Sequence, residues 1–259
     1  MKKDKANKKI LVIGESCVDV FIYCSSNRMC PDVPAPVLKE VEETRNSGMA
    51  MNLYGNLVSL GIPRDDCKIW TQQRWDQVTK TRYVHKDSNH TFIRIDRNEE
   101  DICKIKIDHL IPHLKYQDII AISDYNKGFL SENDIAAICE RHKNVFIDTK
   151  KKLGNYLSKA KYIKINTPEY SNSEDFINKN KKIRSKIIKT AGKDGAFFRD
   201  EHFPSESIEV RDVSGAGDTF FAGLIYEYSK SSNINDAIVF ANKCAAKVVQ
   251  KRGVSNDVI

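Results

Sequence analysis

From about residue 119 onward the chain alternates short apolar runs with amphipathic stretches, and no other feature constrains the fold as much. Ile119–Ser123, Val145–Asp148, Tyr162–Ile165, Lys186–Thr190 and Ala196–Arg199 read as strands. Ser131 with Asp134 forms a capping box for a helix running to about Arg141, and Leu153–Ala160 reads as a short helix. Two long helices are predicted over Gly215–Ser229 and Asn235–Gln250. Strands that alternate with helices belong to a mostly parallel sheet covered on both faces.

The first half is organised differently. Lys9–Gly14 reads as a buried strand and a turn, and Gly48–Leu60 as a helix that stops at Gly61 and Pro63. Residues 107–114 read as a further helix. Val20–Tyr23, Val37–Val41, Tyr83–Val84 and Thr91–Ile95 read as short strands, with Pro31, Pro34 and Pro36 between the first two. These strands do not alternate with helices, so they are expected to form a small separate sheet inserted into the α/β unit. The sequence carries no internal repeat and no low-complexity linker.

Composition narrows the function classes. Hydrophobic residues make up 41%, enough for a real core. Apolar runs such as Ile10–Ile13 are strand-sized, far short of the roughly 20 residues of a membrane span. Met1–Lys9 is basic and polar and reads as a solvated tail, so neither a secretory signal nor a membrane partner is expected. Lys and Arg exceed Asp and Glu by seven, but they are scattered apart from runs such as Lys150–Lys152 and Lys179–Lys182. A nucleic-acid binder gathers its cations into a stripe, so no nucleic-acid partner is expected, whereas a modest excess suits an anionic small-molecule substrate. The seven cysteines are odd in number and never spaced as CxxC. This argues against a disulfide framework or a zinc site and predicts a reducing, cytoplasmic setting.

The sharpest chemical signal is Asp212-Val213-Ser214-Gly215-Ala216-Gly217-Asp218-Thr219, which leads directly into an amphipathic helix. Glycines on either side of a small residue let a ligand approach the backbone, and N–H groups at a helix start attract an anion. A carboxylate there makes sense if it takes a proton from an attacking hydroxyl. The octapeptide alone equally suits a glycine-rich turn in which Asp218 compensates the helix dipole.

This segment resembles the DTxGAGD signature of the ribokinase-like (PfkB) carbohydrate kinases, with Val213 in place of the usual threonine and the GAGD core intact. Further motifs follow in the family's order. Gly14-Glu15-Ser16-Cys17-Val18-Asp19 resembles its first strand and substrate aspartate. Ser47-Gly48-Met49-Ala50-Met51-Asn52 resembles its GGxxxN substrate turn, with Ser47 replacing the first glycine. Asn166-Thr167-Pro168-Glu169 is similar to its NxxE motif. Thr190-Ala191-Gly192-Lys193-Asp194-Gly195 is similar to its TxGxxG nucleotide turn, and Asn242 matches a position near the adenine.

The resemblance implies a ribokinase-like three-layer sandwich over residues 1–259, a single kinase domain whose lid strands come from about 20–42 and 80–97. It also implies ATP and Mg²⁺. Asp218 would be the base, backbone around Gly215, Ala216 and Gly217 the anion hole, and Asn166 and Glu169 the organisers of the metal. Thr190, Gly192, Gly195 and Asn242 would bind the nucleotide, while Asp19, Gly48, Asn52 and Asp124 would orient the acceptor. A homodimer through the lid is expected.

A second set of motifs resembles bacterial D-glycero-D-manno-heptose-7-phosphate kinases. These are the Arg28–Val37 stretch, Ser123-Asp124-Tyr125-Asn126-Lys127-Gly128, Asp148-Thr149-Lys150, Lys80-Thr81-Arg82 and Arg94-Ile95-Asp96. They imply phosphorylation of the anomeric hydroxyl of a heptose 7-phosphate, with Arg28, Lys80, Arg82 or Lys127 holding the existing phosphate. The alternatives are a PfkB kinase for another sugar or a nucleoside, and a catalytically silent homologue acting as a binding protein. One departure is expected: between Gly61 and Thr79 a peripheral βα unit is missing or shortened. The last predicted helix lies close to residue 259, so no nucleotidyltransferase domain is expected after it.

Overall fold

Side chains alternate across a strand, so a strand covered on both faces must be apolar throughout. The computed structural model describes residues 8–206 and 212–250. Most of the tail expected over Met1–Lys9 lies outside the described residues. The first half runs β1 (Ile10–Gly14), β2 (Ser16–Ser25), β3 (Lys39–Met49), α1 (Ala50–Ser59), β4 (Cys67–Trp70), β5 (Thr79–His85), β6 (Thr91–Arg97) and α2 (Ile107–Leu114). It continues β7 (Ile119–Asp124), α3 (Glu132–Arg141), β8 (Val145–Thr149) and β9 (Tyr162–Asn166). Three short helices follow, α4 (Thr167–Asn172), α5 (Glu174–Lys179) and α6 (Lys181–Arg184), and then β10 (Ile187–Thr190), β11 (Ala196–Phe198) and β12 (Glu201–Phe203). The long helices α7 (Ala216–Ser231) and α8 (Ile234–Val248) complete the described chain.

Among the described residues, eight strands form one sheet in the order β12-β11-β10-β9-β8-β7-β1-β4. Pairing is parallel from β4 through β10 and antiparallel across β11 and β12. Alternation divides its residues between two cores. Leu11, Ile13, Ile120, Ile122 and Ile147 pack under α2 and α3, whereas Ile10, Val12, Ile119, Ala121 and Phe146 pack under α1, α7 and α8. The capping box expected at Ser131 and Asp134 is present at the start of α3. The three-layer, mostly parallel architecture read from the sequence is therefore the one observed.

The second sheet has the order β3-β2-β5-β6. Its strands are longer than the apolar cores visible in the sequence, because polar residues continue the pairing on the face turned to the cleft. β2 follows β1 after the single residue Glu15, so the lid grows directly from the central sheet.

One expectation is corrected, and the shortened unit expected between Gly61 and Thr79 takes a definite form. Leu153–Ala160 is not an α-helix, only a 3₁₀ turn over Asn155–Leu157. Leu153, Tyr156, Leu157 and Ala160 are buried at helical spacing, but Gly154 is extended and the Leu153 N–H is held by Ser173 Oγ at 3.1 Å. Between Gly61 and Thr79 the edge strand β4 survives, paired with β1, and only a 3₁₀ turn at Trp75–Gln77 comes before β5. This region also supplies the buried Gln72, whose side chain brackets Ser16 by accepting from its N–H (3.0 Å) and donating to its carbonyl (2.7 Å).

At Gly14, which pairs with Ser123 across β1 and β7, an added Cβ would lie 1.9 Å from the Ser123 carbonyl oxygen. Gly14→Ala is expected to lower stability by about 2 kcal/mol, since backbone must move to admit the methyl group. The check is a lower urea midpoint with an unchanged slope.

Candidate active site

A helix begins with N–H groups that have no partner inside it, and α7 begins where the chain is least encumbered by side chains. Gly215, with φ 78°, is its N-cap in a left-handed conformation that favours glycine. The intrahelical ladder starts at Thr219 N–H to Gly215 O, 2.9 Å, which leaves the Gly217 N–H outside it, while the Ala216 N–H turns back to Val213 O at 3.2 Å. Of the expected anion-hole amides, Ala216 is thus already engaged. A Cβ at Gly217 would sit 3.2 Å from Lys164 Nζ, so the lysine head group would have to give way slightly.

Asp218 lies in this first turn and is 6% exposed. Its carboxylate accepts from Asn52 Nδ2 at 2.8 Å and from the Tyr125 hydroxyl at 2.7 Å. Burial pushes its pKa up to about 6, against the pull of these two donors. A carboxylate in that range is ionised at neutral pH yet basic enough to accept a proton. The adjacent α1 packs through polar groups here as well: Asn56 donates to Thr219 Oγ1 at 3.2 Å, and Asn52 Oδ1 is buried without a hydrogen-bond partner among the described residues.

On one side of Asp218 opens a cavity of about 800 Å³. Gly215, Ala216, Gly217, Thr190, Gly192, Gly195, Asn166 and Asn242 all line it, so the structure brings the expected nucleotide residues together. Asn242 Nδ2 is meanwhile committed to the Phe203 carbonyl at 2.8 Å. Lys150, Asp148 and Lys164, to which sequence reasoning gave no role, share the wall. Lys164 and Asp148 form a buried pair at 2.6 Å, and Asp148 Oδ1 has no hydrogen-bond partner among the described residues.

Asn166 and Glu169 are placed differently from a simple pair of metal ligands. They form the capping box of α4: Asn166 Oδ1 accepts from Glu169 N–H at 2.9 Å, and Glu169 Oε2 accepts from Asn166 N–H at 2.8 Å. The other Glu169 oxygen pairs with Lys150. Among the described residues, the buried carboxylate oxygen without a hydrogen-bond partner at this cavity belongs to Asp148.

The lid approaches the same glycine-rich turn through Val213 and Ser214. Residues paired across neighbouring strands share a face. Asp19 pairs with Asn46 and Lys80, Lys80 with Asp96, and Arg82 with Phe21 and Arg94, so these share one face, polar around Asp19, Lys80 and Arg82 and apolar where Phe21, Tyr23 and Val84 cluster. Arg82 Nη1 meets Asp19 Oδ1 at 2.5 Å, and Arg82, Phe21 and Tyr23 join Val213 and Ser214 around a second cavity of about 270 Å³. Gly48 is required by Asp19, since a Cβ would come within 2.4 Å of Asp19 Oδ2. Lys80 and Lys127 both pair with Glu99, at 3.3 and 2.5 Å, while Arg28 is exposed beyond β2. For Asp124 the expectation is corrected. Its side chain has no exposed surface, and its oxygens accept from Lys151 Nζ (2.9 Å) and Thr149 Oγ1 (2.5 Å). Its neighbour Tyr125 is the residue presented to the site; the adjacent Asp124 has the chemistry of a sugar ligand, and only the turn geometry reveals the swap.

The layered sheet with a strand lid and an acid at a glycine-rich helix start is a ribokinase-like kinase architecture. It resembles ribokinase from Thermotoga maritima with a TM-score of 0.73 at 16% identity, covering 97% of this chain and 96% of that one. It also resembles Arabidopsis thaliana ribokinase complexed with ribose and ATP, with a TM-score of 0.71 at 14% identity, covering 96% and 95%. Residues 53–259 match the family described as pfkB family carbohydrate kinase, and the chain belongs to that family. Among curated relatives, it is 29% identical to the "Bifunctional protein HldE" of a Nitratiruptor species, over 95% of this chain and 62% of that protein. It is 30% identical to the protein of the same name from a strain of Helicobacter pylori, over 95% and 64%. The chain therefore spans less than two thirds of the length of either relative.

The raised pKa of Asp218 has a consequence for stability. Because the folded state holds this proton more tightly than the unfolded chain, ionised Asp218 is a cost that develops as pH rises from its ordinary 3.8 through about 6. Asp218→Asn removes the cost. The variant should be more stable than the wild type at pH 7 to 8, by an amount on the order of 3 kcal/mol at most. The gap should close as pH falls below about 4. Urea melts of both proteins across pH give the answer.

Proposed function

We propose that the protein transfers the γ-phosphate of ATP to the anomeric hydroxyl of a heptose 7-phosphate. The observation that carries this reading is the place of Asp218: a buried carboxylate on the wall of a large cavity lined by the nucleotide motifs, just after a turn whose Val213 and Ser214 join the lid around a second, smaller cavity. The nucleotide occupies the larger cavity, with Lys150 and Lys164 supplying positive charge to its wall. The acceptor lies against the lid face, where Asp19 and the open Oδ1 of Asn52 orient its hydroxyls. Asp218 takes the proton from the attacking hydroxyl, and the Gly217 N–H faces the charge that develops on the phosphoryl group.

Mg²⁺ fits the nucleotide cavity, because an unpartnered buried carboxylate oxygen is the hard donor such a cation requires. Asp148 and Asn166 would hold it, directly or through water, with Glu169 orienting Asn166. When bound it neutralises phosphate charge.

The heptose assignment rests on the motifs from Arg28 to Val37, Lys80 to Arg82 and Ser123 to Gly128, with the two HldE relatives in support. An acceptor that already carries a phosphate requires cations beyond those serving ATP. Arg82 stands at the smaller cavity and is the cation best placed to receive it, exchanging Asp19 for the phosphate. We further propose a cytoplasmic homodimer assembled through the lid. The face of the lid opposite Asp19 and Arg82 carries Val18, Val20, Ile22, Tyr83, Ile93 and Ile95 in register; Val20 and Ile22 are already buried under Leu38 and its neighbours, and Ile93, 52% exposed, is the residue left for a partner.

Three outcomes are expected. A heptose 7-phosphate should show a much higher kcat/KM than the free heptose, and than ribose, fructose or adenosine, with the preference falling as salt rises. Arg82→Ala should weaken acceptor binding more than ATP binding, and Asp218→Asn should cut turnover by about a hundredfold or more. Equal kcat/KM values would remove the heptose assignment; near-normal turnover by folded Asp218→Asn would remove the base. For assembly, light scattering at micromolar concentration should give twice the chain mass, and Ile93→Lys should return the monomer mass.

A further inference from the structure

We infer that Tyr125 is the positioning residue of the base: its hydroxyl fixes the Asp218 carboxylate, and the buried Glu15 carboxylate fixes Tyr125 by gripping the turn that carries it. This deepens the reading of Asp218 as the base and rests on it.

The turn after β7 has no helix or sheet to hold it. Asn126 adopts φ 58° and Gly128 φ 95°, so the backbone curls through left-handed conformations and aims its N–H groups inward. Glu15 lies at the junction of β1 with the lid and is fully buried. Its Oε2 accepts from Tyr125 N–H and its Oε1 from Lys127 N–H, each at 2.9 Å. Burial, with Asp124 nearby, pushes the Glu15 pKa up, and the two amides pull it back. A glutamate without a water-facing or catalytic task, spent on two amides of one turn, makes sense if the position of that turn matters.

What the turn positions is the Tyr125 ring. Lys80 of the lid and Lys150 after β8 each lie 5.6 Å from its centroid, so cations of both the lid and the nucleotide cavity converge on it. The hydroxyl ends 2.7 Å from Asp218 Oδ1, while Asn52 holds Oδ2. Two donors from different elements remove the rotational freedom of the carboxylate. Burial keeps the phenol protonated far above its ordinary pKa, so Tyr125 acts as a constant donor and does not compete for the proton.

The other groups that act on Asp218 are Asp148 on β8, Lys164 on β9, Lys150 after β8 and Cys17 on β2. Asp148 raises its pKa and Lys164 lowers it. Tyr125 differs from these in bonding directly to the carboxylate, and so in setting its direction as well as its basicity. A merely packed tyrosine would affect stability alone.

The test reads Asp218 itself. With carbon-13 in the aspartate carboxyls, the Asp218 resonance is assigned by its loss in Asp218→Asn and followed with pH. The wild-type midpoint is expected at about 6. Tyr125→Phe should raise the midpoint by about one unit, since a hydrogen bond to the charged form is gone. The acid limb of the kcat profile should move with it, while KM for ATP holds. Incorporating 3-fluorotyrosine, a stronger donor that keeps the ring in place, should lower the midpoint, and this arm stands even if the phenylalanine variant does not fold. Glu15→Gln should raise the midpoint in the same direction as Tyr125→Phe by loosening the turn. A midpoint unmoved by 3-fluorotyrosine, or by Tyr125→Phe in folded protein, overturns the assignment of Tyr125, and one unmoved by Glu15→Gln overturns that of Glu15. The titration needs no acceptor, so a wild type that phosphorylates no sugar would refute the proposed function while the midpoints still decide the role of Tyr125.

Discussion

The Asp218 carboxylate is held out of water at the start of a helix, and the surrounding structure is arranged to make that tolerable. An isolated buried carboxylate would simply be protonated. Here the N-terminal dipole of α7, an amide from α1 and a phenol from the turn after β7 each favour the ionised form, while burial opposes it. The elements that meet at Asp218 belong to the core on one face of the sheet and to the strand ends, so their relative placement is fixed by the burial of Leu53, Leu57, Phe220 and Phe221 around it. The tension between burial and donation is what places the group in the range useful to a base, and it requires the fold to be assembled before the chemistry exists.

The sequence is most readable where one local rule decides the outcome. Apolar runs mark the central strands, Ser131 with Asp134 marks the start of α3, and the glycines before Asp218 mark the turn into α7. It is least readable where a distant partner decides. Asp124 and Tyr125 are adjacent, and either could serve a polar acceptor; Lys151 and Thr149 settle which one is buried out of reach. Glu169 reads as a metal carboxylate by motif, yet Lys150 and the Asn166 backbone claim both its oxygens. Leu153 to Ala160 has the spacing of a helix, and Ser173 with the extended Gly154 prevents one. Glu15 and Gln72 carry no signal at all, because their partners are backbone groups of a junction that exists only in three dimensions.

The lid shows the same logic at the level of a sheet. One face is apolar at its centre, the face of Asp19 and Arg82 mixes ion pairs with the Phe21–Tyr23–Val84 cluster, and the register of β2 with β3 and β5 keeps the two sets apart. The cations around the cleft are matched by carboxylates: Arg82 with Asp19, Arg94 with Asp96, Lys80 and Lys127 with Glu99. A ligand that enters the cleft must therefore exchange partners with existing ion pairs, a process that favours an anion able to match the geometry of the group it displaces and disfavours a neutral one.

Because side chains of β2, β5 and β6 alternate between the cleft and the opposite face, the proposed function confines acceptor choice to a sparse set of positions largely apart from the core of the central sheet. Such a surface can drift. On the proposed function, a change at Asp19, Lys80, Arg82 or Arg94 alters what the cleft accepts, while Asp218 and the cavity beside it stay as they are. The labour of the chain is then divided in two: one part keeps a reaction, and a few alternating side chains on a ribbon of four strands decide what is offered to it.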